Sequence, residues 1–191
     1  MTGALAAALL AGPADAADFI VANNNDSGAG SLRQAIIDSN AAGGTNTIIL
    51  NNGIGTITLS SSDLPAVQNN VTIVGNNNTL SGNNQFRGLF IGAFSGSSQV
   101  PVTVAIQDLT ITNARAQGGA GTGSGGGGAG LGGAIFVADQ ASVTVSNVTL
   151  TTNSAVGGNG GFGAARSRTG RSLVRSRPRA ARSTGLVAPR A

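Results

Sequence analysis

The chain has 191 residues, 40% of them hydrophobic but only 3% aromatic, with 31 glycines and no tryptophan, tyrosine or cysteine. It is long enough to bury one core, which Val, Ile, Leu and Ala must fill, and it can form neither disulfides nor thiolate metal sites. Histidine, lysine and glutamate are absent too, which removes most side chains used for acid–base catalysis.

The net charge of +4 conceals a division. Three arginines (Arg33, Arg87, Arg115) and all seven aspartates precede residue 164, and the other eight arginines lie between Arg166 and Arg190. A mildly acidic body carries a basic end, so the pI of about 11.6 describes that end rather than the body.

At the start, Leu5 to Gly12 is a short apolar run, and Ala14-Asp15-Ala16 follows it as a small-residue cleavage-like site. No positive residue precedes the run. The pattern is that of the second half of a secretory signal peptide over residues 1–17, and it predicts export. The run is too short to span a bilayer, and no later segment reads as a membrane-spanning helix.

Phe19 to Ala22 reads as a strand and Asn23 to Gly28 as a turn. The one convincing helix lies near 31–41. Ser31 and Gln34 have capping-box spacing, Leu32, Ala35, Ile36 and Ser39 fall on one face, and Gly43-Gly44 stops it. Placed before a series of short strands, such a helix is expected to cap the open end of their core. Thr47 to Leu50, Thr56 to Leu59 and Val71 to Val74 read as strands. Asn51-Asn52, Asn69-Asn70 and Asn76 to Asn78 mark corners, where asparagine tolerates the left-handed conformation and can form side-chain ladders.

Gly88 to Gly92 and Pro101 to Ile106 continue the strands, with Pro101 at a position that costs no ladder donor. Ile106 to Gly119 then aligns with Val145 to Gly158. Leu109 and Ile111 fall on Val148 and Leu150, and Gly118-Gly119 on Gly157-Gly158. Val71 to Gly82 is a fainter echo. Strands of three or four residues, such as Ala134 to Val137, Val143 to Val145 and Val148 to Leu150, cannot bury an apolar face alone and need lookalike neighbours stacked on them.

Two segments carry a family resemblance. Asn24 to Asn40 contains Ser31-Leu-Arg-Gln-Ala-Ile36, which resembles the Ser-Leu-Arg-Glu/Gln-Ala-Ile segment that opens many secreted bacterial parallel β-helix proteins. Gly132 to Phe136 (GGAIF) resembles the Gly-Gly-Ala-Ile repeat of polymorphic outer-membrane proteins and autotransporter passengers. Their companion Phe-x-x-Asn stands here as Leu150-Thr-Thr-Asn153. The resemblance implies an all-β fold, a right-handed parallel β-helix (solenoid) over residues 18–163 with the capping helix near 31–41. It further implies a truncated passenger, exposed at or shed from the bacterial surface and associated with the outer membrane.

The functional expectation is a non-enzymatic secreted or cell-surface protein with an adhesion or display role, meeting host or environmental glycans or proteins. Asp26, Asp38, Asp63, Asp108 and Asp139 are the carboxylates available for sugar chemistry. They read as solvated turn residues, and Arg87 and Arg115 as surface residues, so no catalytic, cofactor-binding or metal-binding residue is assigned and no cofactor is expected. A carbohydrate-active relic, lyase or hydrolase, is the alternative. Gly118 to Gly133 holds eleven glycines in sixteen residues and reads as a flexible loop. It contains Gly121-Thr-Gly-Ser-Gly-Gly126, a G-x-G-x-x-G match that dense glycine produces by chance, so no nucleotide is expected. Gly157 to Gly163 has the glycine spacing of a calcium-binding nonapeptide but lacks its aspartate.

From Arg166 the strand pattern stops. Residues 164–191 read as a disordered basic tail and as the product of a frame-shifted end. A second alternative function is nucleic-acid or anionic-surface binding by this tail, although no aromatic residues are interleaved to stack bases. A last strand without a neighbour could also recruit a second copy edge to edge.

Overall fold

The computed structural model describes residues 16–161. The tail 164–191 and, except for residues 16 and 17, the leader-like segment 1–17 lie outside the described residues.

The strands form because their text alternates. The longer ones, Thr45–Leu50, Asn70–Ser81 and Val102–Thr112, bury side chains, most of them aliphatic, at nearly every second position, and turn residues break the run. The order is β1 (Asp18–Val21), α1 (Leu32–Ala42), β2 (Thr45–Leu50), β3 (Thr56–Thr58), β4 (Asn70–Ser81), β5 (Leu89–Ile91), β6 (Ala93–Ser95) and β7 (Ser98–Val100), then β8 (Val102–Thr112), β9 (Arg115–Gln117), β10 (Ile135–Val137), β11 (Ala141–Ser146), β12 (Thr149–Thr151) and β13 (Ser154–Val156).

The main sheet is parallel and seven-stranded, ordered β1-β2-β4-β8-β11, with β3 also pairing β4 and β12 also pairing β8. Register brings like residues side by side: Ile48, Ile73, Ile106 and Val145 form one row across the sheet, and Ile57, Leu80, Ile111 and Leu150 another. Rows of this kind build the core, in which Ile48, Leu50, Ile57, Leu80, Ile106 and Ile111 are essentially inaccessible. Full burial of one such side chain contributes about 1.5–3 kcal/mol.

The all-β right-handed solenoid expected above is not the architecture found. The described residues form a mixed arrangement of several separate sheets and a helix. Besides the main sheet there are two two-stranded parallel sheets, β5–β10 and β9–β13, and a two-stranded antiparallel one, β6–β7. Helix α1 sends Leu32, Ala35 and Ile36 into the same core cluster as the strands, so it is an integral part of that core and not an accessory to a β-only stack. The repeats encode pairing between lookalike strands. They carry no information on connections, and it is the connections that add the helix and the hairpin.

Two details show how polar residues hold the corners. Asn76 and Asn77 adopt φ of 48° and 60° where β4 bends, as do Asp108 and Asn147 (55° and 51°) at the equivalent bends further on. The asparagines reach backbone groups more often than each other. Buried Asn46 donates to the Ser39 and Gly43 carbonyls at 3.1 and 2.9 Å and accepts from the Ala17 N–H at 3.2 Å. It thereby satisfies helix-end carbonyls that have no partner within α1.

The glycine-rich segment is likewise more ordered in its contacts than the flexible loop expected. Gly128 N donates to Gly119 O at 2.7 Å, Gly158 N to Gly128 O at 2.8 Å, and Gly161 N to Gly125 O at 2.8 Å. A side chain on Gly118, Gly127 or Gly158 would strike a facing backbone carbonyl, so these strips approach closely only because they are glycine.

Candidate functional site: an aromatic-floored cleft

Strand β5 alternates Leu89 and Ile91 inward, both buried, and so turns Phe90 outward. Its parallel partner β10 aligns Phe136 with Phe90, and the rings stack at 5.0 Å between centroids with 25° between planes. Such a pair contributes about 0.5–1.5 kcal/mol beyond area burial. Arg87, just before β5, lays its guanidinium over both rings, 5.8 Å from the Phe90 centroid and 5.4 Å from that of Phe136. Its Nε donates to the Gly132 carbonyl at 3.1 Å, and its backbone N–H donates to Asp63 Oδ1 at 2.8 Å.

Asp63 is placed by a second arginine. Arg33, on α1, donates through Nη1 to the Asp63 carbonyl (2.6 Å) and to Ser62 Oγ (3.1 Å). Through Nη2 it donates to the Ser62 carbonyl (2.9 Å) and to Asp26 Oδ1 (2.7 Å). Asp26 also accepts from Ser60 Oγ, Ser61 N and Ser61 Oγ, so one carboxylate ties the 23–30 turn to the 60–63 loop. Burial alone would push the Asp26 carboxyl up. The Ser61 and Arg33 hydrogen bonds, the Arg33 charge and a further bond from Ser60 more than offset this and hold its pKa at about 2, below the ordinary 3.8.

Between these elements lies a cleft of about 320 Å³ lined by Asp63, Leu64, Ala66, Arg87, Gly88, Phe90 and Phe94. Phe94 stands at its rim on the β6–β7 hairpin, 52% exposed. Among the described residues, the Arg87 terminal nitrogens and Asp63 Oδ2 have no hydrogen-bond partner, and Asp63 and Arg87 do not ion-pair with each other.

Asp63 and Arg87, which the sequence presents as a turn residue and a surface residue, therefore meet in one site. The other carboxylates stay apart from it. Asp108 accepts from Asn147 at a corner (2.7 Å), Asp38 accepts from Gln34 on α1 (2.8 Å), and Asp139 bonds to the N–H of its own neighbour Gln140 (3.0 Å). Arg115 donates to Gln117. Gly121 to Gly126 precedes no helix and bonds to the 157–161 strip instead. Phe90, Phe94 and Phe136 escaped sequence reasoning. The signal was available for two of them: an aromatic between two inward aliphatics in Leu89-Phe90-Ile91, and its counterpart in Ile135-Phe136-Val137, must face outward.

Fold and cleft together give a β-rich protein with a small cleft that presents one cation, one anion and phenyl rings. Comparison with protein-family models, curated proteins and solved structures found no match. Among the described residues no helix is long and apolar enough to cross a membrane, and no three acidic side chains converge as a metal site would require.

Proposed function

We propose that the chain is a non-enzymatic recognition protein of the secreted or cell-surface kind, adhesive or display in role, which meets glycans or proteins through the Asp63–Arg87 cleft. The observation that carries this reading is the pairing of unengaged polar atoms with an aromatic floor. Ligand sites combine apolar walls with a few placed polar groups. The carboxylate nearest the cleft loop, Asp26, is saturated by four donors and serves as a tether, while Asp63 stands in the cleft without a second free carboxylate described beside it.

The test is a screen of the full chain against arrays of surface glycans and extracellular proteins, with Phe94→Ala as the site control. Binding that Phe94→Ala removes, with no product released from pectin, alginate or glycosaminoglycans, supports recognition. Release of sugar products would place the chain among carbohydrate-active enzymes instead.

The proposal has a second part, favoured by a separate observation. The outward edge of β11 and β12 exposes Val145 (54%) and Leu150 (53%), whose partners Ile106 and Ile111 one strand inward are buried. An edge of this kind offers unpaired backbone groups and apolar side chains together, and a second copy of the chain is the complementary partner.

A further inference from the structure

We infer, resting on the recognition reading above, that the cleft takes an uncharged pyranose unit, the neutral sugar of a glycan, in preference to an acidic one. The charge balance points there. Asp63 and Arg87 line the same cleft without pairing, so a ligand entering it meets one negative and one positive group. An anion gains at Arg87 and loses at Asp63, and a cation does the reverse. A hydroxyl differs from both because it donates and accepts at once. Neighbouring hydroxyls of one sugar ring satisfy the pair together, one donating to Asp63 Oδ2 and the next accepting from the Arg87 terminal nitrogens. Both bonds are charge-assisted, the stronger kind.

The apolar lining completes the match. A pyranose has a face of C–H bonds, and Phe94 at the rim, more than half exposed, offers ring surface against which that face packs, while Phe90, stacked on Phe136, forms the apolar floor. The site is already arranged. Asp63 is fixed through its carbonyl by Arg33 and through Oδ1 by the Arg87 N–H, and Arg87 is fixed through Nε by the Gly132 carbonyl. Fixed partners spare a ligand the cost of ordering them. A volume of about 320 Å³ lies at the small end of ligand sites, which suits roughly one or two sugar rings.

The experiment applies the full chain to an array carrying neutral hexopyranoside oligosaccharides beside hexuronate and sialylated ones, at low and high salt. The best neutral probe is then titrated calorimetrically against wild type, Asp63→Asn, Phe94→Ala and the remote control Asp139→Asn. The expected result is selection of neutral probes, affinity nearly independent of salt, and a loss of about tenfold or more in Asp63→Asn and in Phe94→Ala, with the control unchanged. Asp63→Asn keeps an oxygen for the Arg87 N–H, and melting curves establish that both variants fold. Selection of acidic probes with affinity that collapses in salt overturns the neutral-sugar assignment but leaves the recognition reading standing. So does capture of proteins alone, if Phe94→Ala still abolishes it. Neutral-probe binding untouched by either variant also overturns the assignment, since the sugar then sits elsewhere.

Discussion

Ile111 and Leu150 are register partners on the adjacent parallel strands β8 and β12, yet Ile111 is fully buried and Leu150 is 53% exposed. The two residues have similar apolar side chains and stand at the same step of an aligned repeat. What differs is the number of neighbouring strands: β8 has β4 on one side and β12 on the other, whereas the described residues place β12 against β8 alone. Burial here is set by the place within the row, interior or edge, and not by the residue type. Ile111→Ala is therefore expected to cost about 2–5 kcal/mol, as large-to-small changes do in closed cores, and Leu150→Ala under about 1 kcal/mol. Urea unfolding followed by far-ultraviolet circular dichroism measures both. Equal losses would mean that Leu150 is covered in solution.

This contrast also marks how much could be read beforehand. The alignment of Leu109 and Ile111 with Val148 and Leu150 gave the pairing register of β8 with β12, because repeated text packs against repeated text. The Ser31 cap and the buried face of α1 were equally legible, since both depend on residues within a few positions of each other. The architecture was not. The all-β solenoid, with the helix closing the open end of its core, would join all the strands in one continuous stack, and nothing local to the repeats says that the described strands divide into several separate sheets. The cleft was illegible for a related reason. Asp63 and Arg87 are brought together across 24 positions by a side-chain-to-backbone bond, and Phe90 meets Phe136 only through the β5–β10 register.

The Arg33–Asp26 pair makes stability depend on acid pH. With a folded pKa of about 2 against the ordinary 3.8, Asp26 stays ionised in the folded state where the unfolded chain already takes up a proton. The unfolded state binds more protons in that window, so its stabilising contribution is complete above about pH 4 and is lost as pH falls toward about 2. Both side chains are shielded, 11% and 12% exposed, and the contribution expected is about 1–2 kcal/mol after allowance for the solvent that still reaches them. Asp26→Asn should lower stability at neutral pH by that order and flatten the dependence between pH 4 and pH 2. Thermal melts of the two proteins across this range measure the difference. An unchanged acid slope in Asp26→Asn would remove the tether from the account of how Asp63 is positioned.

The exposed edge of β11 and β12 predicts self-association that depends on concentration. Val145 and Leu150 present apolar side chains where their register partners Ile106 and Ile111, one strand inward, are buried, and the backbone there has no described partner on its outer side. Pairing with a second copy would cover both kinds of group at once, and a charge placed in that edge would have to be desolvated for pairing to occur. Leu150→Lys is already more than half in solvent and should leave folding nearly untouched while shifting the association midpoint at least about tenfold toward higher concentration. Sedimentation velocity over a concentration series, with melting curves as the folding control, measures this. Wild type that stays monomeric throughout, or a Leu150→Lys variant that associates as readily as wild type, would show that copies do not meet at this edge.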